Sequence, residues 1–171
     1  LITLVGPGGI GKTRLAWALL DAREGAFVDL DGAADEAEVC ARIAGQLGMR
    51  LSWLGGGDVV EELGFALDDR GPTLLVLDQL DDVLGVVADL LGRWRVSAPL
   101  VVTSRAPLGV PHERVIELGP LAIGDAPLAS PAGRLLLERA GIAAPPPEQR
   151  DGYGRLVRAL DGVPLAIELA A

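Results

Sequence analysis

The segment Gly6 to Thr13 reads GPGGIGKT and fits the spacing G-x-x-x-x-G-K-[ST]. Each residue type in it suits a polyphosphate. Glycines let successive backbone N–H groups turn inward around phosphate oxygens, and a helix starting near Lys12 adds the positive end of its dipole. Lys12 can reach the β- and γ-phosphates, and the Thr13 hydroxyl can ligate Mg²⁺. Gly6, Pro7, Gly8, Gly9, Ile10, Gly11, Lys12 and Thr13 are therefore candidate binding residues. Arg14 is a weaker candidate that reads as a solvated helix face. Of the 15 basic residues 14 are Arg, and Lys12 is the single Lys. A position that stays Lys in such a chain calls for a compact ammonium rather than a planar guanidinium.

A second group of residues lies further along. Asp78 follows the apolar run TLLVL and is the expected second anchor for Mg²⁺, through water. The next residue is Gln79, where many hydrolysing ATPases place an acid to polarise the attacking water. Glutamine can orient a water but cannot take its proton, so hydrolysis is expected to be slow or absent. Asp81 and Asp82 can serve instead, or read as ordinary acids at the start of a helix. Thr103-Ser104-Arg105 ends another apolar strand. Arg105 can sense a γ-phosphate, with Thr103 or Ser104 holding a water. Lys12, Asp78, Gln79, Asp81 and Arg105 are the candidate catalytic residues, and Thr13 and Asp78 the candidate metal ligands. His112 has no second ligand or nucleophile near it in sequence and reads as a loop residue. Cys40 reads as buried filler, and Trp17, Trp53 and Trp94 as packing.

These residues need elements to position them. Leu1 to Val5, Ala26 to Leu30, Thr73 to Leu77, Leu100 to Thr103 and Val115 to Leu118 read as strands. The continuous apolar runs among them suit strands covered on both faces. Arg14 to Arg23 has helical spacing, with Leu15, Leu19 and Ala18 on one face. Ala33 to Leu47 places Val39, Ile43 and Leu47 on one stripe, Gly55-Gly56-Gly57 reads as a loop, and Val59 to Leu67 and Asp81 to Trp94 read as helices. Alternation of strand and helix predicts a parallel sheet with helices on both faces. After Pro120 the pattern is helical. Ser130-Pro131 opens a helix that Gly141 can close, Glu148 to Leu160 is another, ended by Asp161-Gly162, and Pro164 opens the last. The expected domains are residues 1–120 and 121–171. The chain opens on a core strand and stops inside a helix, as a piece of a longer protein would.

Composition narrows the classes. The chain has 171 residues, half of them apolar, and a net charge of -9. That suffices for a packed core and excludes disorder. So acidic a chain is a poor nucleic-acid binder, and any direct DNA contact belongs elsewhere in a longer protein. One cysteine excludes a disulfide scaffold and points to a reducing, cytoplasmic setting. No apolar run has the length of a membrane span, and no basic leader precedes the first strand.

With GPGGIGKTRLA, LLVLDQLDDV, VVTSRAPLGVPHERVIELGPL and LDGVPLAIELAA in this order, the chain resembles the STAND class of signalling ATPases, relatives of NB-ARC and AAA+ proteins. It is similar above all to the ATPase modules of large bacterial LuxR-like and SARP-type transcriptional regulators. The resemblance covers essentially the whole chain. It implies a three-layer α/β/α P-loop NTPase domain with a five-stranded parallel sheet in the order 5-1-4-3-2, followed by a small all-helical subdomain. It implies that Gly162-Val163-Pro164 is the G-x-P motif, with Pro164 near the nucleotide base, and that Arg105 is the sensor arginine. It further implies ATP or ADP with Mg²⁺ as ligands, a closed ADP form, and an ATP form that opens and self-associates. The chain departs from the class at Gln79, at Asp81 where a Glu is common, and in the Pro- and Ala-rich stretch Gly141 to Gln149. The leading reading is a nucleotide-gated switch. The rivals are a nucleotide-binding scaffold without turnover and a small phosphotransferase, although Arg134, Arg139, Arg150, Arg155 and Arg158 are scattered over helices rather than gathered in a lid.

Overall fold

A computed structural model describes residues 1–49, 58–69, 73–94 and 98–171. Trp53 and the Gly55-Gly56-Gly57 loop lie outside the described residues. Two compact units are present: Leu1–Gly6 with Lys12–Glu117, and Pro7–Gly11 with Leu118–Ala171.

The first unit is built on strands β1 (Ile2–Val5), β2 (Gly25–Asp29), β3 (Leu74–Asp78), β4 (Leu100–Ser104) and β5 (Arg114–Glu117). All pairings are parallel, in the order β2-β3-β4-β1-β5, which is the expected 5-1-4-3-2 read from the other edge. Parallel strands need crossovers, supplied by α1 (Lys12–Asp21), α2 (Glu36–Gln46), α3 (Val59–Asp69) and α4 (Leu84–Arg93). The period of two along each strand divides its side chains between the faces. Val28, Leu75, Leu77, Leu100 and Val102 join a core with Val39, Ile43, Leu63, Val87 and Leu90 from α2, α3 and α4. Phe27, Val76 and Val101 are in register on the other face, where α1 lies against β2, β3 and β4. There Trp17 of α1 stacks on Phe27 with ring centroids 4.1 Å apart. Burial on both faces is why β3 and β4 read as unbroken apolar runs.

Three details differ from the expectations. The α1 stripe is not Leu15, Leu19 and Ala18: Leu15 is 39% exposed and Ala18 is exposed, whereas Ala16 is fully buried. A small residue lets the helix axis approach the sheet, and the large apolar residues beside it fall to the flank. The fourth helix begins at Leu84 rather than Asp81; residues 81–83 form a turn anchored by the buried Leu80. The last strand is β5, one residue earlier than expected, and all four of its residues are exposed on the sheet edge. The stripe Val39, Ile43 and Leu47 is buried as expected. Asp35 caps α2, its carboxylate accepting from the Glu38 N–H at 2.8 Å.

The second unit carries α5 (Pro131–Arg139), α6 (Arg150–Ala159) and α7 (Pro164–Ala170), with short 3-10 turns at Pro127–Ala129 and Pro147–Gln149. Ser130 caps α5 by accepting from the Gly133 N–H, and Pro131 takes the first helical position. Ala132, Leu136, Val157 and Ile167 form its core. Gly162 has φ 70°, and a Cβ there would lie 2.1 Å from the Leu121 carbonyl oxygen. Only glycine permits that approach, and Leu121 N–H donates back to the Gly162 carbonyl at 2.8 Å. Among the described residues no helix is long and apolar enough to cross a membrane.

Cys40 is 1% exposed on α2, and burial pushes its thiol up to about 11. The proton is held more tightly in the folded than in the unfolded chain. This contribution to stability is therefore complete below the ordinary thiol range and declines as pH rises from about 9 toward 11. The expected outcome is negligible labelling of the native chain by a thiol reagent at pH 8, with full labelling in denaturant. Rapid native labelling would mean that α2 opens readily.

Candidate functional site

Asp78 ends β3 and is 1% exposed. Two hydroxyls converge on its carboxylate. Thr13, the second residue of α1, donates across both oxygens at 3.0 and 2.9 Å, and Thr103 donates to Oδ1. Thr103 is itself buried near the end of β4 and accepts the Gln79 N–H at 3.0 Å. The two neutral donors and the N-terminal end of α1 make a buried carboxylate tolerable. The predicted metal ligands Thr13 and Asp78 are thus in contact. Oxygen donors of this kind suit Mg²⁺, which usually takes one or two protein ligands and completes its shell with water and phosphate. Among the described residues no group of three His, Cys, Asp or Glu side chains gathers as a metal centre, so an ion here would depend on this pair and on oxygens of a ligand.

Lys12 opens α1, and its ammonium donates to the Gly6 carbonyl at 2.8 Å. Burial lowers its pKa; the Asp81 and Asp78 carboxylates oppose that shift and Arg105 adds to it. Lys12 therefore lies in the field of the same acids and of the one candidate sensor arginine. Arg14 is exposed.

Asp81 is not a helix-start acid. Its Oδ1 accepts the Arg105 N–H at 2.7 Å and faces the Ser104 hydroxyl at 3.4 Å, and its Oδ2 lies 3.3 Å from the Arg105 guanidinium. Asp81 holds the end of β4 and the predicted sensor arginine, whose side chain is 70% exposed. Among the described residues Asp82 has no such partner. Gln79 has φ 62°, a left-handed conformation that favours glycine, and its side-chain Nε2 donates to Asp29 Oδ1 at 3.0 Å. Asp29 was not among the residues singled out from sequence. The available signal was an acid closing a strand, as Asp78 does, and the register sets the two side by side.

The loop residues Pro7–Gly11 belong to the second unit. Gly9 and Gly11 have φ 74° and 101°, so the loop uses its glycines as the motif requires. A Cβ at Gly11 would meet nothing within 4 Å, whereas one at Gly9 would lie 2.7 Å from the Leu165 Cβ. The Gly9 carbonyl accepts the Leu165 N–H at 3.1 Å. Leu165 follows Pro164 in the first turn of α7, and Ile10 is buried. A separate cavity of about 530 Å³ in this unit is lined by Arg150, Arg155 and Arg158 together with Asp125 and Asp151. Arg150, Arg155 and Arg158 all lie along α6, so they share this lining as neighbours on one helix.

Known proteins agree with this geometry at the level of fold. No family model matches the chain. The structure superposes on the signal transduction ATPase with numerous domains (STAND) protein with a tetratricopeptide repeat sensor from Pyrococcus horikoshii. There the TM-score is 0.65 and the identity 18%, over 97% of this chain and 26% of that one. It also superposes on Cdc6p from Pyrobaculum aerophilum, with a TM-score of 0.58 and 20% identity over 99% and 52% of the two chains. The fold is that of a P-loop NTPase. In sequence the chain is 33% identical over 182 aligned positions to a Mycobacterium tuberculosis protein named "Putative HTH-type transcriptional regulator". That alignment takes in the whole chain but only 20% of the regulator.

The Asp78 cluster makes a measurable demand. Thr103→Val keeps the shape while removing one donor from a buried carboxylate and the acceptor of the Gln79 N–H. It is expected to lower the unfolding free energy by about 1–3 kcal/mol, read from urea denaturation. An unchanged midpoint would mean that the cluster is not formed in solution.

Proposed function

We propose that the chain is the nucleotide-gated switch module of a larger signalling or transcriptional regulator of the STAND class. It binds ATP and ADP with Mg²⁺, and the nucleotide biases the position of the helical unit. The observation that carries this reading is the bond from the Leu165 N–H to the Gly9 carbonyl. The crown of a phosphate-binding loop is tied to the first turn of a helix in another part of the chain. A ligand that reshapes the loop must act on that bond.

Each residue then has a role. Loop N–H groups from Gly8 to Thr13 and the Lys12 ammonium bind phosphate oxygens. Thr13 and Asp78 would hold Mg²⁺, which would neutralise phosphate charge. Lys12 exchanges the Gly6 carbonyl for a phosphate oxygen, an exchange favoured because a charged acceptor makes the stronger hydrogen bond. Arg105, kept near the site by Asp81, reads whether a terminal phosphate is present. Pro164 starts α7 beside the loop contact. Residues 1–120 and 121–171 work as two domains, and switching requires unequal affinity for two of their arrangements.

Turnover is slow, because the Gln79 amide cannot accept a proton. The ATP form self-associates, and DNA binding belongs to another part of the full protein, as the name of the mycobacterial relative suggests. A scaffold that binds nucleotide without turnover is the second reading, favoured by Gln79.

Calorimetric titration of the purified chain tests the proposal. Wild type should bind ADP and ATP in the presence of Mg²⁺, and Lys12→Ala should weaken binding by about tenfold or more, in line with loss of a charge-assisted hydrogen bond. Its circular dichroism should stay that of wild type. Absence of binding by wild type, or equal binding by the variant, would overturn the assignment. Unfolding of the variant would favour the scaffold.

A further inference from the structure

We propose that Asp29 is a positioning residue of this site: its carboxylate fixes the Gln79 amide so that Oε1 is presented to a water. The proposal rests on the nucleotide reading above and adds a part to it.

The backbone of Gln79 is held first. Its N–H donates to Thr103 Oγ1 at 3.0 Å, and its left-handed φ of 62° turns the side chain off the line of β3. The amide then meets the end of the neighbouring strand. Asp29 is the last residue of β2 and pairs with Asp78 in the register. Its Oδ1 accepts Gln79 Nε2 at 3.0 Å. Asp29 is fixed in its own right. Oδ1 also accepts the Asp31 N–H at 2.9 Å, and Arg42 donates to the carbonyls of Asp29 and Asp31 at 3.2 and 2.8 Å.

The chemistry decides which end of the amide goes where. A carboxylate accepts only, so the nitrogen must face Asp29 and the carbonyl oxygen must face away. Among the described residues Oε1 accepts no hydrogen bond. Asp29 thus converts an amide that could flip into one that offers a fixed acceptor. The arrangement also fits the slow turnover expected from Gln79. The pair contains one carboxylate, and it lies on the outer strand, engaged by two donors.

The polarity of the pair can be exchanged. Asp29→Asn, Gln79→Glu and the double variant form a cycle with wild type. Three quantities are read: ATP binding by titration, melting temperature of the nucleotide-free chain, and phosphate release. Gln79→Glu alone opposes two carboxylates, so its melting temperature should fall. The double variant restores the bond with an amide donor at position 29 and a carboxylate at position 79. Its melting temperature should recover, and phosphate release should exceed wild type by at least about tenfold, because a group able to take a proton now faces the water. Asp29→Asn alone should release phosphate more slowly than wild type.

Additive melting shifts across the cycle, with binding intact, would overturn the proposal while leaving the nucleotide reading in place. Recovery of melting temperature without gain in phosphate release would make the pair structural only and also overturn it. Failure of wild type to bind ATP would strike the nucleotide reading itself, and this inference with it. The double variant is compared directly with wild type, so poor folding of Gln79→Glu alone leaves the comparison intact.

Discussion

A carboxylate buried at the end of the central strand is the constraint on which the rest depends. Asp78 is 1% exposed, and an ionised group so placed is costly unless donors surround it. Its partners dictate neighbouring structure. Thr13 must stand in the first turn of α1, so the loop before it must reverse direction within a few residues. Thr103 stands one residue before the end of β4, the strand that adjoins β3. Gln79 must turn at once into a left-handed conformation to bring its N–H to Thr103. One buried acid thus ties together the ends of β3 and β4, the first turn of α1 and the left-handed residue Gln79.

On the proposed reading, the same constraint prepares the cluster for a cation. Hydroxyls are weak substitutes for a cation beside a carboxylate, so the cluster has something to gain from Mg²⁺. Lys12 and Arg105 are each held provisionally, one by a carbonyl of its own loop and the other by Asp81. On the proposed reading both would be exchanged for charge-assisted bonds to phosphate. The loop in turn is connected to α7 through Gly9 and Leu165.

Much of this was legible in the sequence. The runs TLLVL and LVVT read as strands covered on both sides and are buried strands in the structure, and the glycine and lysine spacing calls for a loop between a strand and a helix, which is where it lies. Asp161-Gly162 and Pro164 were legible as a helix stop and a helix start, and α6 and α7 end and begin there; the tight approach of Gly162 to Leu121 is a tertiary fact. What sequence obscured was direction. In α1 the spacing of large residues suggested Leu15, Leu19 and Ala18, but the sheet accepts the small Ala16 and leaves Leu15 on the flank. Asp81 and Asp82 looked alike ahead of an apolar stretch. Only the turn after Leu80 sends Asp81 toward Arg105. Asp29 showed only as an acid closing a strand, because its partner is 50 residues away and meets it through the register of β2 and β3.

The central claim is that nucleotide state reaches α7 through the loop. Amide hydrogen exchange at Leu165, followed by NMR in ADP and in a non-hydrolysable ATP analogue, tests it most directly. The account predicts protection that differs between the two states by about tenfold or more, as expected when one state weakens a local hydrogen bond by more than about 1.4 kcal/mol. Equal exchange in both states, with binding of both ligands verified in the same samples, would contradict it.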